Sequence, residues 1–314
     1  MRMLLLINSS ASSVTPRGKV VIQKALAADH DLQVAETSRR GHATRLARSA
    51  AGDGFDVVVL LGGDGTLNEA ANGLAGTATA LAPLPGGSTN VFARTIGLPN
   101  DPIEATGALI DALAADNIRP VGLGSVNGRY FLFHVGLGYD AAVVEQVERR
   151  SELKRWAGQP LFAAAALTTF ARHYDHSRPR FTLDPDGDNP IEGQFTIVLN
   201  TNPYTYIGNL AFDLVPEATL DRGLATVTFT SLRADRLLRG VAEALRPRGD
   251  LRRIPWMDVR TDLDHLVVHG NGPFPFQVDG DFLGEVDHIE LRHEPDVLRL
   301  VLPVAAPSAE PVRS

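Results

Sequence analysis

Residues 56–74 read DVVVLLGGDGTLNEAANGL, and expectations for the rest of the chain start from this run. Val57, Val58, Val59, Leu60 and Leu61 are an unbroken apolar stretch of strand length, the pattern of a strand covered on both faces in a parallel sheet. Gly62, Gly63 and Gly65 predict a tight turn whose backbone takes positive φ and comes close to a ligand, and Leu67 to Leu74 resumes a helical pattern. Strand, glycine turn and helix start in that order offer backbone N–H groups and the positive end of a helix dipole, which suit a phosphate. Asp64 sits inside the turn. A carboxylate there repels phosphate unless it holds a metal, accepts a proton or orders a donor, so it points to phosphoryl chemistry rather than passive anion capture. Glycine turns also follow strands for structural reasons alone, and GGDG by itself leaves that alternative open.

No G-x-G-x-x-G aligns with the turn and no G-x-x-x-x-G-K-[ST] occurs in the chain, which sets aside the dinucleotide and P-loop fingerprints. The 314 residues suffice for two domains, and 44% hydrophobic content is ordinary for a globular protein with a sizeable core. Absence of cysteine removes disulfides, thiolate metal sites and cysteine nucleophiles, and fits a reducing compartment. A formal charge of −7 argues against nucleic acid as a partner and against bulk attraction to anionic lipid. Met1 to Ile7 is too short for a signal peptide, and no apolar run approaches the roughly 20 residues that span a bilayer. A lipid substrate would have to be reached from the water side.

Around the central run, Met3 to Ile7 predicts a first buried strand ending at Asn8 and a serine-rich loop. Gly18 to Ala28 predicts a helix, Asp31 to Glu36 a strand and Gly41 to Ala51 a helix. Leu81 to Leu84 is a further strand. A second glycine turn, Pro85 to Asn90, leads into Val91 to Ile96, and Pro102 to Asp116 is helical. Strands alternating with helices imply a parallel sheet whose carboxyl-end loops gather at one edge, so the Asn8, Asp64 and Ser88 loops should converge. From about Val121 the pattern changes to short strands: Tyr130 to Val135, Arg180 to Leu183, Phe195 to Asn200, Ala225 to Thr230, Leu266 to His269, Phe276 to Val278 and His288 to Arg292. Their density predicts a β-sandwich or related antiparallel domain, with a helical insertion over Asp140 to Tyr174 and a Pro- and Ala-rich tail after Pro303.

Two acidic turns stand out in this second half. In GLGYDA, Asp140 follows a strand at the start of the insertion, where helix N-capping is the plain explanation. In QVDGD, Asp279 and Asp281 flank Gly280 between apolar residues, which reads first as hairpin chemistry. GGDGTLNE, PGGSTNVFAR, GLGYDA and VDGD, in this order, resemble the signatures of the diacylglycerol kinase catalytic family, which includes bacterial lipid kinases and sphingosine kinases, and the match runs from Asn8 to Asp281. The resemblance implies an N-terminal three-layer α/β domain related to NAD kinases and phosphofructokinases, a C-terminal β-sandwich, and a nucleotide cleft between them. It places the ATP-binding domain at 1–121, with a segment at about 296–308 packing back on it, and the lipid-substrate domain at 122–295.

Carried over by position, the resemblance implies ATP contacts from Asn8, Thr37, Gly63, Asp64, Gly65, Thr66, Leu67, Asn68, Glu69 and Ser88. Asp64 would organise the phosphates and Mg²⁺, Asp140 would support it through water, and Asp281 would be the general base for a lipid hydroxyl. The implied protein is an ATP-dependent kinase of diacylglycerol or a related long-chain alcohol, cytoplasmic and peripheral at the inner membrane face, with a homodimer left open. NAD kinase, which shares GGDG, and a catalytically weak nucleotide-binding regulator are the alternatives. The family generally has Glu where this chain has Asp281, so the carboxylate reaches one methylene less. Val91 replaces an Asp that joins the metal network in some bacterial members. Arg222 interrupts Leu220 to Leu224, where relatives carry a structural Mg²⁺ loop, so that metal is expected to be missing unless Asp221 takes its place. His265 and His269 share a strand face, a weak signal for metal. Arg233 to Arg253 holds seven arginines against Asp235, Glu243 and Asp250, either a solvated helix face or a patch for anionic headgroups. Lys154, Arg155 and Trp156, ahead of the apolar run Leu161 to Phe170, offer a second interfacial candidate.

Overall fold

The computed structural model describes residues 1–148, 178–186, 189–246 and 249–304. Most of the expected helical insertion, including Lys154 to Trp156 and Leu161 to Phe170, and the tail from 305 lie outside them. The chain divides into two compact units, Met1–Val121 with Asp296–Ser314, and Gly122–Pro295.

The first unit runs β1 (Arg2–Ile7), α1 (Pro16–Leu26), β2 (Asp31–Glu36), α2 (His42–Gly52), β3 (Val57–Gly62), α3 (Asp64–Leu74), β4 (Ala80–Pro85), α4 (Val91–Thr95) and α5 (Pro102–Ala114). Its strands pair in parallel in the order β4-β3-β1-β2. Met3, Leu5, Ile7, Val57, Val59 and Leu61 join residues of α1 and α5 in one core. Leu4, Leu6, Val58 and Leu60, which point the other way, are equally buried on the side where α2 packs with α3. Because both faces are covered, β3 reads as a continuous apolar run instead of an alternation. The helices start where the sequence supplies caps: Thr15 Oγ1 accepts the Gly18 N–H at 3.0 Å ahead of α1, and Asp101 accepts from Ile103 and Glu104 ahead of α5. Near the C-terminus Leu300 lies alongside Leu81 in parallel, and Asn117 Nδ2 donates to the Leu302 carbonyl at 2.9 Å.

The second unit contains β5 (Ile118–Val126, which begins in the first unit), β6 (Arg129–Phe131), β7 (His134–Gly138), α6 (Tyr139–Glu148), β8 (Phe181–Pro185), β9 (Ile191–Gly193), β10 (Phe195–Leu199), β11 (Thr205–Ile207), β12 (Leu210–Phe212), β13 (Leu224–Phe229), α7 (Ala234–Ala244), β14 (Met257–Leu263), β15 (His265–Val278) and β16 (Asp281–Val301, which ends in the first unit). Its main sheet is antiparallel in the order β14-β13-β10-β7-β15-β16. β15 pairs with β8 over Leu266 to Gly270 and with β7 over Phe276 to Val278, and an irregularity between His269 and Phe274 lets it change partner. The sheet thereby folds around a core that includes Phe131, Leu137, Phe181, Val198, Phe274 and Ile289. Phe195, Ile197, Leu199, Val227 and Phe229 feed a separate core, shared with Ala244 of α7.

The fold class is the expected one, α/β followed by an antiparallel strand-rich unit, but strand lengths differ. Leu266 to His269 and Phe276 to Val278 belong to one strand, and His288 to Arg292 is the middle of β16. Gly270, Gly272 and Pro273 weaken the local β signal without ending the strand, because the partners fix it. Conversely, Tyr130 to Val135 splits into β6 and β7, because the Asp279 carboxylate takes the N–H groups of Leu132, Phe133 and His134. β14, MDVRTDL, escapes the sequence reading because as the outer strand of its sheet it keeps charged residues.

Candidate functional site

In the first unit the glycine turn closes directly into α3, which begins at Asp64 rather than at Leu67 and has Gly63 as its N-cap. The Asp64 carboxylate faces the start of α4: Oδ2 accepts from the Val91 N–H at 2.9 Å and Oδ1 from the Phe92 N–H at 3.1 Å. Burial pushes its carboxyl above the usual range, and those two N–H groups pull the other way. The Val91 side chain takes no part in anchoring Asp64, since the bond comes from the backbone and that side chain is buried.

The glycines serve a different purpose from the one their pattern suggested. Gly62, Gly63 and Gly65 all lie outside the positive-φ region. Close backbone contact is instead required of the facing turn: a Cβ on Gly86 would sit 2.8 Å from Gly62 N, and one on Gly87 would sit 2.9 Å from Gly63 Cα. The Gly86 N–H bonds the Gly62 carbonyl at 2.8 Å, so the turns after β3 and β4 lie against each other. Gly65 is the exception. It is exposed, and a Cβ there meets no atom within 4 Å, so packing gives no reason for a glycine.

The Asn8, Asp64 and Ser88 loops converge as expected. Asn8 Nδ2 donates to Thr66 Oγ1 at 2.8 Å, and Ser13 Oγ donates to the Gly87 carbonyl at 2.9 Å. Ser88 is exposed, Thr37 continues β2 with its N–H on the Ile7 carbonyl, and Leu67 is buried. Asn68 is 2% exposed and its Oδ1 accepts from Asn72, so its side chain supports α3 from within. Glu69 is likewise engaged: its carboxylate accepts from the Gly41 N–H at 2.7 Å and the Ala43 N–H at 3.1 Å, capping α2 from outside. Asn90, to which the sequence reading gave no role, locks the second turn. It adopts φ 50° and exchanges bonds with Gly87, accepting its N–H at 2.7 Å and donating to its carbonyl at 2.9 Å.

In the second unit Asp279 and Gly280 form a two-residue hairpin turn between β15 and β16, with φ of 49° and 83° as a type I′ turn requires. The two acids of this turn have opposite surroundings. Asp279 is buried and accepts from Leu132, Phe133 and His134 N–H at 2.7, 3.0 and 3.0 Å. Asp281 is half-buried, and Arg129 Nη2 donates to its Oδ2 at 3.4 Å.

Asp140 is not the N-cap of α6. It lies within the first turn, and its buried carboxylate accepts from the Tyr204 hydroxyl at 2.6 Å and from Gln277 Nε2 at 2.8 Å. Gln277 Oε1 in turn accepts the Gly280 N–H at 2.8 Å. This chain of bonds leads from Tyr204 to the turn that presents Asp281, and Gly136 must be glycine because a Cβ there would overlap the Asp140 carboxylate. Burial raises the Asp140 carboxyl against the pull of Tyr204 and Gln277, raises the Tyr204 hydroxyl well above its ordinary value, and holds the neighbouring His134 down to about 3. GLGYDA and QVDGD hold Gly136, Asp140 and Gln277 of this arrangement, but Arg129 and Tyr204 lie outside both strings and carry no motif.

The remaining candidates resolve into ordinary contacts. His265 bonds Asp186 through Nδ1 and Glu290 through Nε2, each at 2.9 Å, and His269 faces His288 across the strands. Asp221 accepts from Thr219 Oγ1 at 2.6 Å, and Arg222 stands 4.0 Å from Asp262. Among the described residues no group of three or more His, Asp or Glu side chains is placed to hold a metal ion.

Comparison with known proteins adds to this geometry. The diacylglycerol kinase catalytic domain matches residues 2–126. A protein of Pseudomonas aeruginosa (strain UCBPP-PA14) named "Probable lipid kinase YegS-like" is 31% identical over 313 residues, 97% of this chain and 95% of that protein. The diacylglycerol kinase of Bacillus subtilis (strain 168) is 38% identical over 142 residues, 44% of this chain and 45% of that one. A diacylglycerol kinase crystal structure from Bacillus anthracis str. Sterne superposes with a TM-score of 0.72 at 19% identity, covering 97% of each chain, which shows a common fold.

Proposed function

Because the chain belongs to the diacylglycerol kinase catalytic domain family of lipid kinases, we propose that it transfers the γ-phosphoryl group of ATP to the hydroxyl of diacylglycerol or a related long-chain lipid alcohol. The observation that carries this reading is the Asp64 turn: a carboxylate anchored by two backbone N–H groups beside the start of α3, with Gly65 open to a ligand. A nucleotide fits those residues. Phosphates would meet the N–H groups at the start of α3 and the hydroxyl of exposed Ser88, with Asn8, Thr37 and Thr66 alongside.

Mg²⁺ fits as well, since it commonly takes one or two carboxylates and completes its shell with water and substrate phosphates, so Asp64 would suffice without an acidic cluster. When bound, the ion neutralises charge on the phosphates. Asp64 holds its position through Val91 and Phe92, and Asn68, Glu69 and Asn90 hold the loops around it. Asp281 takes the proton of the acceptor hydroxyl as its oxygen bonds to the γ-phosphorus and the bond to the β,γ-bridging oxygen breaks, releasing ADP. Arg129 orients that carboxylate, and Asp140 acts on it indirectly through Gln277 and Gly280.

Such an acceptor lies in a membrane. Among the described residues no helix is long and apolar enough to cross one, and the reading places the chain as a peripheral protein at the cytoplasmic face. Incubation with γ-labelled ATP, Mg²⁺ and micellar diacylglycerol, sphingosine or NAD tests the assignment. Label in the lipid supports it, whereas label in NAD alone, or nucleotide binding without transfer, overturns it.

A further inference from the structure

Helix α7, ADRLLRGVAEA, carries a wider apolar arc than the protein covers. Gly240 and Ala244 are buried, and Leu237 packs on the core that contains Phe229, Ile254 and Met257. At 3.6 residues per turn, Ala234, Leu238, Val241 and Ala242 continue the apolar arc round the helix into solvent, where Leu238 is 68% and Val241 37% exposed. The adjoining flank is cationic. Arg236 and Arg239 lie over the Trp256 ring at 5.2 and 5.3 Å, Arg246 follows directly after the C-cap Leu245, and Asp235 and Glu243 are ion-paired with Arg233 and Arg246. Within an acidic chain, the stretch from Arg233 to Arg253 has seven arginines against three acids.

An exposed leucine–valine arc bordered by arginines, with a tryptophan beside them, is the layout of a helix that lies in a lipid interface. The alternative occupant, a second copy of the chain, is disfavoured by charge: a two-fold contact of arc on arc would set the arginine flanks of both copies together. Anionic headgroups meet the same flank with opposite charge. We propose that α7 docks the protein on an anionic phospholipid bilayer, with Leu238 and Val241 entering the headgroup boundary and Arg236, Arg239 and Arg246 meeting lipid phosphates. This surface deepens the lipid-acceptor reading above and rests on it for its purpose, which is to hold the enzyme where its substrate is.

The test uses the full chain with phosphatidylglycerol–phosphatidylcholine vesicles and with phosphatidylcholine vesicles alone, scored by co-sedimentation. Trp256 fluorescence in a Trp156→Phe background, with brominated lipid as quencher, reports whether this face is the one that docks. Binding is expected only with the anionic vesicles and falls as salt rises. Leu238→Asp should weaken it at least about tenfold, and Arg239→Gln and Arg246→Gln about fivefold each. Turnover on a water-soluble short-chain diacylglycerol should be equal in Leu238→Asp and the parent. If neither turns that substrate over while the vesicle pattern holds, the acceptor assignment fails and docking stands. Parent protein that ignores anionic vesicles overturns the proposal, and so does Leu238→Asp binding as well as the parent. Conversion of a dimer to a monomer by Leu238→Asp, with vesicle binding unchanged, would assign the arc to self-association instead.

Discussion

The Asp64 turn and the Asp281 hairpin both present a carboxylate next to glycine, yet they are supported in different ways. Asp64 is held by backbone N–H groups at the start of a neighbouring helix, in a layer where parallel strands end side by side. Asp281 stands on a two-residue turn whose stability comes from buried side chains: Asp279 beneath it, and Gln277, Asp140 and Tyr204 behind it. Backbone support depends little on side-chain identity, since the N–H groups of Val91 and Phe92 are present whatever their side chains. Side-chain support does depend on it, because each partner removed leaves another polar group buried without a bond.

The contrast can be broken by substitution. The largest effect is expected at Asp281: Asp281→Asn should lower lipid phosphorylation by about 10²–10⁴-fold with unchanged nucleotide affinity, and a variant within a few fold of the parent would remove the base assignment. Next, Asp279→Ala strips an acceptor from three buried N–H groups and should cost about 3–5 kcal/mol in urea unfolding. Glu69→Ala, which uncaps a partly exposed helix end in the other unit, should cost about 1 kcal/mol. Equal losses would erase the distinction drawn between the two turns.

A smaller effect belongs to the hydrogen-bond chain. Tyr204→Phe should destabilise by about 1.5–3 kcal/mol and lower turnover without changing nucleotide affinity; loss of nucleotide affinity instead would show that the chain serves something other than Asp281. The buried imidazole next to Tyr204 adds a pH signature. His134 titrates at about 3 when folded and near 6.5 when unfolded, so the unfolded chain binds the extra proton between those values. Its contribution is complete above about pH 6.5 and is lost as pH falls toward 3, at up to about 1.4 kcal/mol per pH unit. His134→Gln should flatten that part of the acid limb. Least disturbing to the fold is Gly65→Ala, expected to leave thermal stability unchanged or slightly raised while weakening ATP binding about tenfold, as read by calorimetry.

Much of the first unit was legible because its signals are local. Val57 to Leu61 declare a strand covered on both sides, Gly18 to Ala28 and Pro102 to Asp116 read as helices, and the spacing of strands and helices implies the parallel order. The second unit was less legible: the bend in β15 and the break between β6 and β7 depend on partners far along the chain, and the residues around them give a weak or contrary β signal.

The sequence by itself determined the layered α/β unit, the strand-rich unit after it, the family, and the residues that face the two turns. Only the tertiary structure decided that Gly86 and Gly87 let two turns touch, that Glu69 caps a helix, and that of two acids separated by one glycine the first is structural and the second accessible. Composition and spacing specify which segments become helices and covered strands, since those patterns lie within the segment itself. The surroundings of a side chain such as Asp140 are set by Tyr204 and Gln277, which reach it only when the sheet has formed.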